Sequence, residues 1–194
     1  MPTTPRFKEF QTTIAAYGKE NLGELLYVLA ENAMQLSGCG QIRVYLEDLT
    51  RGALTCAHAT GPLAKELIET TFPIISQETI VSSVFVSQLP HDFKLSEAGR
   101  NSLDHECALR FRFRSSYIMP IVSLGKSIGV LCIDQDHPGE VLGKSAKTEL
   151  AQFAGTVAAP LDQARIYHQQ VRLARRLEEF KTREAAGMMV RSAV

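Results

Sequence analysis

Hydrophobic positions change their period several times along this chain, and each change marks an element. Phe7, Phe10, Ile14 and Tyr17 recur at three- and four-residue steps, a stripe along one side of a helix that Pro5 opens at its first turn. A second stripe runs Leu22, Leu25, Leu26, Leu29, Ala33 and Leu36, with Asn21 placed as its cap and Gly38 as its stop. From Gln41 the period becomes two. "QIRVYLED" alternates Ile42, Val44 and Leu46 with Arg43 and Tyr45, and "ALTCAHAT" repeats that texture after a turn, which predicts a hairpin. "PLAKELIET" reads as a short helix opened by Pro62, and "TIVSSVFVSQ", rich in β-branched residues, reads as a strand. Leu89 to Cys107 is polar, irregular and weakly helical at its end. "SSYIMPIVS" and "SIGVLCID" flank Leu124-Gly125-Lys126, the clearest hairpin signal in the chain. From Ser145 onward Leu150, Phe153, Val157, Leu161 and Ala164 restore helical spacing, which fades slowly through a charged stretch towards Phe180.

This order predicts an α+β fold in which an antiparallel sheet of five or six strands is covered by helices, with long helices at both ends. A chain of 194 residues is one ordinary domain with extensions and buries a core without covalent staples. Its 21 basic and 21 acidic residues cancel, so a global field for duplex nucleic acid or an anionic membrane is absent. Cys39, Cys56, Cys107 and Cys132 show neither a CxxC pair nor zinc spacing, and read as reduced thiols of a cytoplasmic protein. The first residues lack an apolar signal region, and no stretch has the length of a membrane span.

"RSSYIMPIVSLGKSIGVLCID" followed by "FAGTVAAPLDQARIYHQ" resembles the C-terminal half of a GAF domain: a serine before an apolar strand, a turn, Ile128-Gly129-Val130-Leu131, and a helix ending near Tyr167. The likeness spans roughly residues 22–168, by motif in its second half and by element order in its first. Two positions depart from simple expectation. Pro120 has no N–H for a sheet ladder and predicts a bulge or an unpaired position, and Pro160 predicts a kink near Thr156.

The resemblance implies three regions: an N-terminal helical extension over 1–20, a sensory domain over 21–168, and a signalling helix over 169–194 leading to an effector beyond Val194. It implies a ligand-sensing, dimerising regulatory domain of a bacterial kinase, cyclase or transcription regulator, without catalytic activity. Its partners would be an unidentified small molecule, a second copy of the chain and the downstream effector, with neither nucleic acid nor membrane bound directly; the cofactor stays unknown. The pocket lid would be residues 88–114, and the candidate ligand-binding residues are Phe85, His91, His105, Cys107, Arg114, Ser116, Tyr117 and Met119.

Several of these have two readings. If "ALRFRFRSS" is extended, alternation sets Arg110, Arg112 and Arg114 on one side and Phe111 and Phe113 on the other, so the arginines are either a wet surface or, at Arg114, a grip on an anionic ligand. Stacking of single-stranded nucleic acid on this segment lacks the wider basic surface it needs. "DHEC" joins carboxylate, imidazole and thiol, and His105 or Cys107 with His91 or His58 would suit a metal or haem, though the spacing matches no recognised ligand set. Reduction of methionine sulfoxide, known among GAF domains, needs a second thiol near Cys107 that the sequence does not supply. Tyr117 and Met119 lie on the opposite strand face from Ser116 and Ile118, and one face lines the pocket. The rival to sensing is a ligand-free dimerisation block whose pocket is filled by large residues such as Phe85, Phe93, Tyr117 and Met119.

Overall fold

The computed structural model describes the backbone of residues 21–191 and side chains as far as Thr182; the stripe from Phe7 to Tyr17 lies outside the described residues. The chain order is α1 (Leu22–Ser37), β1 (Gln41–Asp48), β2 (Ala53–Ala59), α2 (Ala64–Ile68), β3 (Thr71–Pro73), α3 (Ile80–Ser87), β4 (His91–Lys94), α4 (Leu103–Arg110), β5 (Ser115–Ser123), β6 (Lys126–Gln135) and α5 (Lys144–Arg191). The strands form one six-stranded sheet, ordered β3-β2-β1-β6-β5-β4 and antiparallel at every step.

Both expected hairpins form. Leu124 and Gly125 hold φ of 49° and 78°, the left-handed pair that a two-residue turn needs to match strand twist. The β1–β2 turn is tied by Asp48, whose Oδ1 accepts from the Thr50 amide at 2.9 Å and its hydroxyl at 2.6 Å. Helix α1 stops at Gly38, left-handed at φ 70°, but Asn21 makes no side-chain capping bond. Pro120 sits opposite Val130, beyond the end of β4, which covers β5 only as far as Ile118; the register slips one residue later, between Ile121 and Val122. No β4 carbonyl is therefore left waiting for the missing N–H. Pro160 interrupts one backbone bond inside α5, yet the helix continues through it.

Besides the Asn21 cap, two expectations fail, and both concern the segment between β3 and β5. "IVSSVFVS" is a helix, α3, although β-branched side chains favour strands. Thr79 is extended at φ −119°, ψ 152° and accepts from the Ser82 amide, so the helix has a built start. Val81, Val84 and Phe85 then face inward, and burial of such side chains, worth about 1.5–3 kcal/mol each, outweighs a helix-propensity deficit of a few tenths per residue. The second failure is "ALRFRFR", which is not extended: α4 continues through Arg110, and Arg112 turns the chain at φ 57°. Phe111 and Phe113 are nevertheless buried and Arg110, Arg112 and Arg114 exposed, so the division between core and solvent survives in a different backbone.

Each face of the sheet has its own core. Ile42, Val44, Leu46, Tyr117, Met119, Leu131 and Ile133 pack beneath α1 and α5. Tyr45, Leu54, Cys56, Phe93, Ile118, Val130 and Cys132 meet α2, α3, α4 and the turn carrying Phe111 and Phe113. β1 and β6 lie at the centre of the sheet with both faces covered, and Gly129 lets them approach, since a Cβ there would run into the Tyr45 carbonyl.

Candidate functional site

The second face carries charge at its centre. Arg43 on β1 and Asp134 on β6 are 2 % and 3 % exposed. Arg43 Nε lies 2.6 Å from Asp134 Oδ2, and Nη2 donates to Oδ1 at 2.8 Å. Gln41 Nε2 donates to the same carboxylate and to the Phe111 carbonyl, both at 3.1 Å. Arg43 Nη1 donates to the Tyr45 hydroxyl at 3.3 Å, and that hydroxyl meets Thr70 Oγ1 at 2.8 Å. The guanidinium stands 4.8 Å from the centre of the Phe113 ring, an aromatic face over a buried cation. Burial alone would favour neutral arginine, but Asp134 reverses this and holds the guanidinium firmly charged.

Arg43 opens on a small cavity lined also by Phe72, Val81, Phe93, Asp104, Cys107, Phe113 and Ile118. Its volume is about 10 Å³, room for roughly one water. A guanidinium has five N–H donors; here Nη2 donates to Asp134 and Nη1 to Tyr45, while Nε makes a close ionic contact with Asp134 without a hydrogen bond, so donor capacity remains. Asp104 enters from α4. Its two oxygens accept from the Ile80 amide at 3.0 and 3.1 Å, so this carboxylate and Thr79 together satisfy the first turn of α3. Burial pushes the Asp104 carboxyl above the usual aspartate range, against the Ile80 bond and Arg43, which pull it down. Cys107, one turn further along α4, has its thiol raised by burial. Burial likewise pushes Cys56 up to about 11 and Cys132 up to about 12, which keeps them protonated core groups.

The cavity therefore has donors on the sheet, an acceptor and a thiol on α4, and phenylalanine walls. It suits a small polar group that accepts from Arg43 and donates to Asp104.

Of the residues proposed from sequence, Cys107 lines this cavity. Ser116 shares its face, set between Phe93 and Asp134 in the ladder, 1 % exposed and with no hydrogen-bond partner for its Oγ among the described residues. Phe85 belongs to the surrounding core on α3. His105 is half-buried on α4, its amide donating to Ser102 Oγ, while His91 and Arg114 are exposed. Tyr117 and Met119 are on the other face, beneath α1 and α5, because strand alternation sends them opposite to Ser116 and Ile118. Among the described residues no group of three or more His, Cys, Asp or Glu is arranged to hold a metal, and all four cysteines are free.

The residues that sequence reasoning missed are Arg43 and Asp134, while Asp104 was singled out only as part of "DHEC" and not as a ligand-binding residue. A usable signal existed. A strand as continuously apolar as "GVLCID" is covered on both faces, so the charge of Asp134 at its end is buried and requires an opposite partner.

A family model described as "GAF domain" matches residues 21–161. The chain belongs to the GAF domain family. Solved structures agree on the fold. A methyl-accepting chemotaxis protein fragment, residues 122 to 287, is 18 % identical, covering 81 % of this chain and 97 % of that one at TM-score 0.65. The GAF domain of a two-component sensor histidine kinase from Bacillus halodurans is 17 % identical, with coverages of 77 % and 99 % and TM-score 0.66. A type II free methionine-R-sulfoxide reductase from Thermoplasma acidophilum is 13 % identical, with coverages of 74 % and 94 % and TM-score 0.58, so this GAF architecture also occurs in an enzyme. No curated protein sequence matches the chain. Among the described residues no helix of this GAF domain is long and apolar enough to cross a membrane.

Proposed function

We propose that the chain is the sensory, dimerising regulatory domain of a bacterial cytoplasmic signalling protein, which takes a small polar molecule at the Arg43–Asp104–Cys107 cavity and passes the change along α5 to an effector. The observation that carries this reading is the buried Arg43–Asp134 pair facing a cavity. As a structural element such a pair is a poor choice, since apolar residues of similar volume do as well or better. As a preorganised donor with spare N–H groups it has a purpose. The lid is suited to responding, because Asp104 joins α4 to the start of α3 through bonds that a ligand of the right chemistry would rearrange. Dimerisation is supported by the apolar row Ile166, Leu173, Leu177 and Phe180 on α5, each at least 38 % exposed along one side of a helix with little else to cover it.

One observation favours the ligand-free block instead. The cavity as it stands admits about one water, and Phe93 and Phe113 fill the space beside it edge to face, 5.7 Å between centroids. Native mass spectrometry of freshly purified protein, paired with thermal-shift screening of small polar metabolites, separates the two. The sensory reading expects an added mass, or a ligand that raises Tm and loses that effect in Arg43→Lys. A panel without effect on wild type, with a clean dimer mass, would leave only the dimerisation role.

A further inference from the structure

Helix α5 leaves the domain at a definite place. From Gln170 through Thr182 every side chain is exposed, whereas Arg165 and Gln169, just before, are 5 % and 8 % exposed. These two polar residues are buried because both reach the end of β1. The Glu47 carbonyl accepts from Arg165 Nη1 at 3.1 Å and from Gln169 Nε2 at 2.8 Å. Arg165 Nη1 also meets Glu47 Oε2 at 3.1 Å, while its Nε and Nη2 donate to Asp162 Oδ1 at 3.2 and 2.7 Å, which fixes the guanidinium on its own helix. One turn later Arg172 Nη2 lies 3.7 Å from Asp48 Oδ2, the carboxylate that also ties the β1–β2 turn.

Arg43, the cation of the cavity, is on the same strand four residues earlier, about 13 Å away at the rise of an extended chain. β1 is paired with β6 from Gln41 to Leu46 and with β2 from Arg43 to Asp48, the β2 register shifting between Val44 and Tyr45, so the strand joins these two points through a continuous ladder on the β6 side as far as Leu46. β1 therefore carries both Arg43 and, at Glu47 and Asp48, the groups that hold the exiting helix.

We propose that Arg165 and Gln169, assisted by Arg172, are a clamp through which β1 couples the state of the Arg43 cavity to the trajectory of α5. They are positioning residues, and two of the clamp's bonds grip the Glu47 backbone carbonyl while Arg165 also holds the Glu47 carboxylate, so it follows displacement of the end of the strand. The inference rests on the sensory reading for what would move Arg43, but the coupling itself needs no ligand.

Hydrogen exchange read by mass spectrometry on the full chain tests it. The perturbation is Arg43→Met with Asp134→Leu, which removes both buried charges together and avoids an orphaned one; Arg43→Lys is the milder alternative if that pair does not fold. With the clamp intact, either perturbation is expected to speed exchange in peptides spanning residues 162–176 roughly fivefold, the change that losing one ordinary hydrogen bond produces in a local opening equilibrium. In the Arg165→Met, Gln169→Leu background the same perturbation adds nothing to those peptides, although β5 and β6 keep their protection. An α5 that ignores Arg43 with the clamp intact, or responds equally without it, overturns the proposal. Because no small molecule is present, this result is independent of whether the native mass spectrum shows one.

Discussion

The two faces of the sheet are built on different principles. Beneath α1 and α5, apolar side chains meet apolar side chains, and each position needs only the right size and parity. Beneath α2, α3 and α4, an ion pair, polar side chains such as Gln41, Tyr45, Thr70 and Asp104, and the thiols of Cys56, Cys107 and Cys132 are threaded among phenylalanines, and the hydrogen-bonded groups depend on particular partners. The first face tolerates substitution in proportion to volume. The second responds to the removal of one partner by exposing the need of the other.

The comparison is broken most easily at Asp134. Asp134→Ala leaves Arg43 charged and buried without its partner, and is expected to cost about 3–5 kcal/mol in urea unfolding. Arg43→Met combined with Asp134→Leu should recover most of that loss. A double variant as damaged as the single one would mean that the pair is itself a main source of stability, and the contrast between the faces would fail. On the other face Leu161→Ala, at a fully buried α5 position, should cost about 3 kcal/mol through lost burial and a residual void, with no partner substitution able to restore it except one that refills the volume.

A smaller effect tests the start of α3. Thr79→Ala removes the cap of α3 and should cost about 1 kcal/mol, with faster amide exchange confined to α3 and to Asp104 on the adjoining helix. Exchange that rises evenly through the sheet would show that α3 does not open separately. The smallest effect is a pH dependence. Because burial raises the Asp104 carboxyl in the folded state, the folded protein binds the extra proton more tightly than the unfolded chain. Stability therefore falls as pH rises from the ordinary aspartate value to the raised one, and is level above both. Asp104→Asn should remove that descent from the Tm–pH curve. An unchanged curve would assign the slope to other groups.

How much of this was legible beforehand differs by face as well. Leu25, Leu29, Val44, Leu46, Leu131, Val157 and Leu161 fall on apolar stripes of period two or 3.6, and they form one core because a stripe needs only another stripe to bury it. Both hairpins were readable too, since a left-handed pair or a side-chain-tied turn leaves a local mark. α3 was not readable: "IVSSVFVS" has the composition of a strand, and what made it helical was a cap at Thr79, a carboxylate from another helix and a face of Val81, Val84 and Phe85 set against the sheet. The candidate site was legible at Cys107 and, by its face, at Ser116, while Tyr117 and Met119 required knowledge of which side of β5 meets α5.

By itself the sequence determined the order of most elements, the two hairpins, the long C-terminal helix and the resemblance that its family membership bears out. These rest on local turn chemistry and on periodicity, which act between residues near in the chain. Tertiary structure alone decided that Arg43 would find Asp134, 91 residues away, that Asp104 would join α4 to α3, and that Arg165 and Gln169 would grip the end of β1. Pairing of buried charges depends on which strands become neighbours and which faces are covered. No local pattern encodes that, because the penalty for an unpaired charge arises only once the fold has removed the water.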